Sequence, residues 1–271
     1  MNALAVSTQL FGAQLLGLNH LAMMRASGFR AVEVFAAPGH FEWEDEAHIS
    51  EIAQALRHLG LEVCSVHAPW APGQDVASLD PAQREASLRS AERAVDALLA
   101  IGGHVLVLHP GAIPGPNESQ GEQLAYARAG IARVACYAAA RGARVALENP
   151  PPYELAGDNR QVLALYHHFA AEPSVQACFD TGHAHVSPEG VGFVTQVPKE
   201  LLLVHLSDNA GAADDHLPPQ AGTIAWSEFF VMLRERRFAG YLVLELTDLP
   251  EPERILAEGW AWMNTVAKDL I

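Results

Sequence analysis

The chain has 271 residues, half of them hydrophobic, and a formal net charge of -15. That length supports a sizeable core. The excess of carboxylates works against a broad phosphate-binding footprint, which rests on Lys and Arg, so nucleic acid is an unfavoured partner. No apolar run reaches the roughly 18–20 residues that span a bilayer, and MNALAVSTQLFGAQLLG has no basic segment ahead of its apolar part. A soluble, cytoplasmic protein with no membrane contact is therefore expected. The three cysteines, Cys64, Cys136 and Cys178, are odd in number and lack a CxxC spacing; buried thiols in a reducing compartment are the expectation. Only two lysines occur, Lys199 and Lys268. One precedes an apolar run and the other lies in the last turn of the chain, which argues against Schiff-base chemistry at a strand end.

In chain order the strand-like runs are LAVST (4–8), AVEVFA (31–36), EVCSVH (62–67), HVLVLH (104–109), RVALEN (144–149), VQACFD (175–180), LLLVHL (201–206) and YLVLEL (241–246). Segments with helical spacing separate them, among them HISEIAQALRHLGL and GEQLAYARAGIARVACYAAARG, and Gly60, Gly102, Gly142 and Gly240 stand where helix C-caps are expected. Near-continuous apolar strands alternating with amphipathic helices predict a parallel sheet covered by helices. Eight such units in this length predict an α/β fold, a (β/α)8 barrel forming a single domain over residues 1–271. The segment after the first strand, STQLFGAQLLG, has no GxGxxG, so neither a doubly wound nucleotide-binding sheet nor a nucleotide cofactor is expected.

Six consecutive strands finish on a metal-ligand residue type: His67, His109, Glu148, Asp180, His205 and Glu245. The following loops add His183 and His185, then Asp214, Asp215 and His216. A single strand-end His or Glu is ordinarily a hydrogen-bonded structural group. Six in succession are not explained by packing, because burying such groups unpaired is costly. In a barrel all six converge on one mouth. Two Glu, an Asp and a His form a mixed oxygen and nitrogen set suited to Zn, Mn, Mg or Co, without the thiolates of a structural zinc site.

Around that set, Glu33 is expected to brace His67 or to contact substrate, and Trp70 to stack on a sugar or cap the mouth. His40, Tyr153, Asn149, Asn209 and His185 are candidate substrate contacts, while His104 should lie at the opposite end of the barrel. The final loop, TDLPEPER, is acidic and lacks glycine. A phosphorylated substrate is thus not supported, and a neutral one is expected.

The strings SVHAPW, LVLHPG, ALENP, CFDTGHAH, VHLSDN, DDHLPPQAGTIAW and LVLEL resemble the xylose-isomerase-like barrel superfamily, from about residue 30 to 248. This superfamily holds sugar isomerases and epimerases as well as DNA-repair hydrolases of the endonuclease IV type. The tagatose-epimerase-like branch implies one divalent metal on Glu148, Asp180, His205 and Glu245. In that branch the two glutamates are also the acid/base pair, and His183 contacts substrate. The endonuclease IV branch implies three zinc ions, adding His67, His109, His183, Asp214 and His216, and phosphodiester hydrolysis. The short mouth loops, poor in Arg, favour isomerisation or epimerisation of a small sugar or polyol-derived ketose over the zinc phosphodiesterase. A homo-oligomer is compatible with either.

Overall fold

The computed structural model describes residues 3–70, 73–112, 115, 119–247 and 249–269. Asp248 of the final mouth loop, and the side chain of Lys268, lie outside what is described. Eight parallel strands, β1 (Ala3–Ser7), β2 (Ala31–Phe35), β3 (Glu62–His67), β4 (Val105–Leu108), β5 (Arg144–Glu148), β6 (Val175–Asp180), β7 (Leu201–Leu206) and β8 (Tyr241–Leu244), pair in sequence order. The barrel closes where β1 meets β8, Ala3 opposite Tyr241 and Val6 opposite Leu244. Outside lie α1 (Leu18–Ala26), α2 (Glu46–Leu59), α3 (Pro81–Ala100), α4 (Gln120–Ala139), α5 (Asn159–His168), α6 (Thr181–Val186), α7 (Trp226–Glu235) and α8 (Pro252–Asp269). Among the described residues no helix is long and apolar enough to cross a membrane.

Local chemistry sets the helix ends. Asp45 accepts from the Ala47 and His48 amides and Asp80 from those of Ala82 and Gln83, each satisfying donors that the first turn leaves free. Gly60 closes α2 with φ 63°, as expected. Gly240 does not cap α7, because Arg237 takes the left-handed position with φ 54°. A Cβ on Gly240 would stand 2.2 Å from the Leu202 carbonyl oxygen, so glycine is required there by close approach of two chains.

Period-two alternation links the fold to the site. Val107, Ala146, Cys178, Leu203 and Val243 pack together in the barrel interior. His109, Glu148, Asp180, His205 and Glu245 each follow one of them by two residues and share its face. These five strands, β4 to β8, thus end by aiming a polar group into the C-terminal mouth. His104 stands exposed just ahead of β4, at the other end. Cys64 and Cys178 are buried, but Cys136 is exposed on α4, contrary to expectation; its apolar neighbours in sequence face the core while it faces solvent.

Candidate metal centre

Glu148 is the hub. Its Oε1 lies 3.3 Å from His205 Nδ1 and 3.4 Å from His183 Nδ1. Its Oε2 lies 3.3 Å from both His67 Nε2 and His109 Nε2. Glu245 Oε2 is 3.0 Å and Asp180 Oδ2 3.9 Å from His205 Nδ1. Glu148, Asp180, His205 and Glu245 therefore form one buried group whose ligand atoms lie within 4.8 Å of one another, flanked by His67–His109–Glu148 on one side and His183–Asp214–His216 on the other.

The histidines are oriented from behind. His67 Nδ1 donates to the Ala68 carbonyl at 2.9 Å, His183 Nδ1 to that of Asn149 at 2.9 Å and His216 Nδ1 to that of Glu245 at 3.3 Å. His109 Nδ1 donates to Glu154 Oε2 at 2.9 Å, and His205 Nε2 to Glu33 Oε2 at 3.1 Å. A carbonyl only accepts, so in His67, His183 and His216 the proton sits on the outer nitrogen and Nε2 turns a lone pair toward a carboxylate, while His109 and His205 have a carboxylate at each ring nitrogen. Lone pairs facing carboxylate oxygens repel unless a proton or a cation lies between them. Buried Glu148 Oε1 and Oε2, Asp180 Oδ2, His205 Nδ1 and Asp214 Oδ1 have no hydrogen-bond partner. Such groups are costly without a counter-charge, and backing acceptors of this kind are what metal-binding histidines use. The donor set fits a divalent cation.

The electrostatics agree. Burial alone would raise Glu148, but the adjoining His109 and His205 hold it well below the usual carboxylate range. Glu245, likewise buried, is brought to about 2 by His205. Burial pushes Asp180 up to about 7, partly opposed by His183 and aided by Glu245 and Glu148. Burial would lower His109, yet Glu148 and Glu154 lift it to about 10. The carboxylates thus draw positive charge into the bowl, which a bound cation supplies in place of protons. Cys178 also reaches Glu148 and His205, but burial raises its thiol well above the ordinary range.

Loop chemistry completes the mouth. Asp180 is also the N-cap of α6, its Oδ1 accepting from the His183 amide, which leaves Oδ2 for the site. Asp214 and His216 ride on the loop after β7, where buried Asp208 accepts from the Asn209, Gln220 and Ile224 amides and from Trp226 Nε1. His216 has φ 47°, a left-handed conformation uncommon outside glycine. A pair of backbone hydrogen bonds between Asp208 and Leu217 fixes the segment beside it.

Several expectations are corrected. Glu33 braces His205, not His67, and is fully buried. Asn149 closes both sides of its amide on the Asp180 backbone, and Asn209 bonds Gly182 and Gly211, so neither amide is free for a hydroxyl. His40 is buried between the Gln14 carbonyl and Thr8. His185 turns away from the bowl to Thr223. Trp70 stacks on His109 with ring centres 4.7 Å apart, and Tyr153 stands half-exposed at the rim. The bowl, about 280 Å³, is also lined by Gln9, Phe35, Glu154 and Thr247. These the sequence did not mark, because they sit at or beyond strand ends without period; the acidic residue beside Tyr153 was the one available hint of Glu154.

The model of the xylose isomerase-like TIM barrel family matches residues 21–266. The chain belongs to that family. Among relatives, an uncharacterized protein of Methanocaldococcus jannaschii is 25% identical over 201 residues, covering 71% of this chain and 68% of its own. Solved family-like folds include a D-tagatose 3-epimerase-like protein, with TM-score 0.84, 20% identity and coverage of 99% of this chain and 98% of that one. An L-ribulose 3-epimerase has TM-score 0.84 and 18% identity, covering 100% of this chain and 96% of its own. At these identities the likeness is one of fold.

Proposed function

We propose that this family member is a divalent-metal-dependent isomerase or epimerase of a small sugar or polyol-derived ketose. The observation that carries the reading is the pair of buried glutamates, Glu148 and Glu245, converging with Asp180 and His205 at the floor of a sugar-sized bowl. Lys and Arg are missing from the described lining, so nothing there is built to hold a phosphate. The epimerases among proteins of the same fold agree with this reading.

Glu148, Asp180, His205 and Glu245 would hold the cation, which when bound supplies polarisation of the substrate's carbonyl and hydroxyl oxygens. One glutamate then takes the proton from the carbon next to the carbonyl, and the other returns a proton, through an enediolate. Glu33 keeps the His205 ring in register. Tyr153, Gln9 and Thr247 offer hydroxyl and amide groups at the rim, and Trp70 and Phe35 exclude water from one wall.

A second reading, zinc-dependent phosphodiester hydrolysis, is favoured by one observation. The two flanking clusters, His67–His109–Glu148 and His183–Asp214–His216, each bring three possible ligand atoms together, the first sharing Glu148 with the inner group. The deciding experiment is incubation of the metal-loaded protein with ketoses in deuterium oxide, alongside bis(4-nitrophenyl) phosphate, with metal content measured per chain. Deuterium at the carbon next to the carbonyl, with one ion at the inner site, is expected. Release of nitrophenolate by protein carrying three zinc ions, with no deuterium in any ketose, would replace the isomerase reading with the hydrolase.

A further inference from the structure

A second cavity, about 320 Å³, opens at the opposite end of the barrel, beneath the N-terminal ends of β4, β5, β7 and β8. Its chemistry is the reverse of the bowl's. Arg144, Arg236 and Arg237 stand on its walls with one carboxylate, Glu200, while Val105, Leu203, Phe238, Tyr241 and Cys64 provide an apolar floor. Three guanidiniums around one hollow are conspicuous in a chain with 32 acidic and 17 basic residues.

These guanidiniums are poorly paired with carboxylates of the described residues. Arg236 donates through Nη2 to the Lys199 carbonyl at 3.1 Å, and the described residues give it no carboxylate. Burial accordingly lowers it from its ordinary value, with nothing raising it. Arg144 meets Glu200 only at 3.8 Å, and that carboxylate is itself two-thirds exposed. Arg237, exposed, makes no described side-chain bond and lines the cavity at the left-handed turn that ends α7. Gly240, by letting the chain pass against Leu202, holds this turn close to β7.

We propose that this cavity is a binding site for a small organic oxyanion, a phosphate monoester or carboxylate with a compact apolar body. The acid group would sit among Arg144, Arg236 and Arg237, and the body on Val105, Leu203 and Tyr241. Planar forks of N–H donors match oxyanions by paired, charge-assisted hydrogen bonds, and a pocket of this size with an apolar floor suits a small molecule. Glu200 is the built-in competitor, since it occupies Arg144 weakly and repels an incoming anion.

The test is calorimetric titration of the full-length, metal-loaded protein with phenyl phosphate, inorganic phosphate and phenol. Phenyl phosphate should bind with Kd of about 1 mM or tighter, inorganic phosphate more weakly, and phenol not measurably. R144A/R237A should weaken phenyl phosphate about tenfold or more, and E200Q should tighten it several-fold. None of these residues lies near the bowl, so metal content should be unchanged in all three proteins, which also shows that the variants fold. Absence of saturable binding, binding indifferent to the arginine pair, or phenol binding as well as phenyl phosphate would each overturn the proposal.

Discussion

Glu33 is fully buried in β2, where its Oε2 accepts from Ser65 at 2.7 Å and from His205 at 3.1 Å. An anionic acceptor behind a ligand histidine raises its basicity and fixes its orientation. Glu33→Gln should therefore weaken metal binding about 10–100-fold, measured by competition with a chelator, without loss of the fold. Unchanged affinity would show that the contact only packs. At Glu245 the two roles separate differently. Glu245→Gln should lower deuterium exchange into the ketose about 10²–10⁴-fold. In chelator the same variant should melt lower than the parent near neutral pH, because His205 holds the Glu245 carboxylate at about 2 in the folded protein, so its ionised form contributes stability above the ordinary carboxylate range that is lost as pH falls toward 2. An unchanged melting point would mean that the Glu245–His205 contact adds nothing to the stability of the fold.

At the scale of elements, the strands carry the candidate ligands and the loops finish the site. The β7–α7 loop is the clearest case, since four N–H groups converge on the single carboxylate of Asp208. Asp208→Asn leaves one acceptor oxygen and turns an NH₂ toward buried donors. A cost of about 2–4 kcal/mol in denaturant unfolding is expected. The amides of Leu217, Gln220 and Ile224 should exchange faster, carrying Asp214 and His216 out of register. If exchange there matches the parent, the loop is held by other contacts. The strands themselves were legible from apolar runs, and their ends from residue type. Helix α6 was not, because its N-cap is the ligand Asp180 and its six residues show no period.

For the whole molecule, the barrel concentrates negative charge at one end, and a ligand that binds only the folded state stabilises it. Metal at 100 times its Kd should add about 2.7 kcal/mol, raising the melting temperature by several degrees over protein in chelator. Calorimetry with and without the ion checks this. An unchanged melting temperature would mean that the four inner residues do not hold it. The cationic hollow at the other end is independent of that linkage, so its ligand should add a separate increment.

The sequence by itself determined the barrel and the six strand-end candidate ligands. Period-two alternation and strand-helix rhythm are local properties, and a parallel barrel turns them directly into inward-facing groups at one mouth. Only the tertiary structure decided which polar groups were free to act. It gave His205 to Glu33, 172 positions away, and His109 to Glu154. It also closed Asn149 and Asn209 on backbone partners and His40 between the Gln14 carbonyl and the Thr8 hydroxyl. The physical reason is that a buried donor or acceptor takes whichever partner the packing brings within about 3 Å. That partner comes from loops whose meeting is set by the closed fold and leaves no periodic mark in the chain.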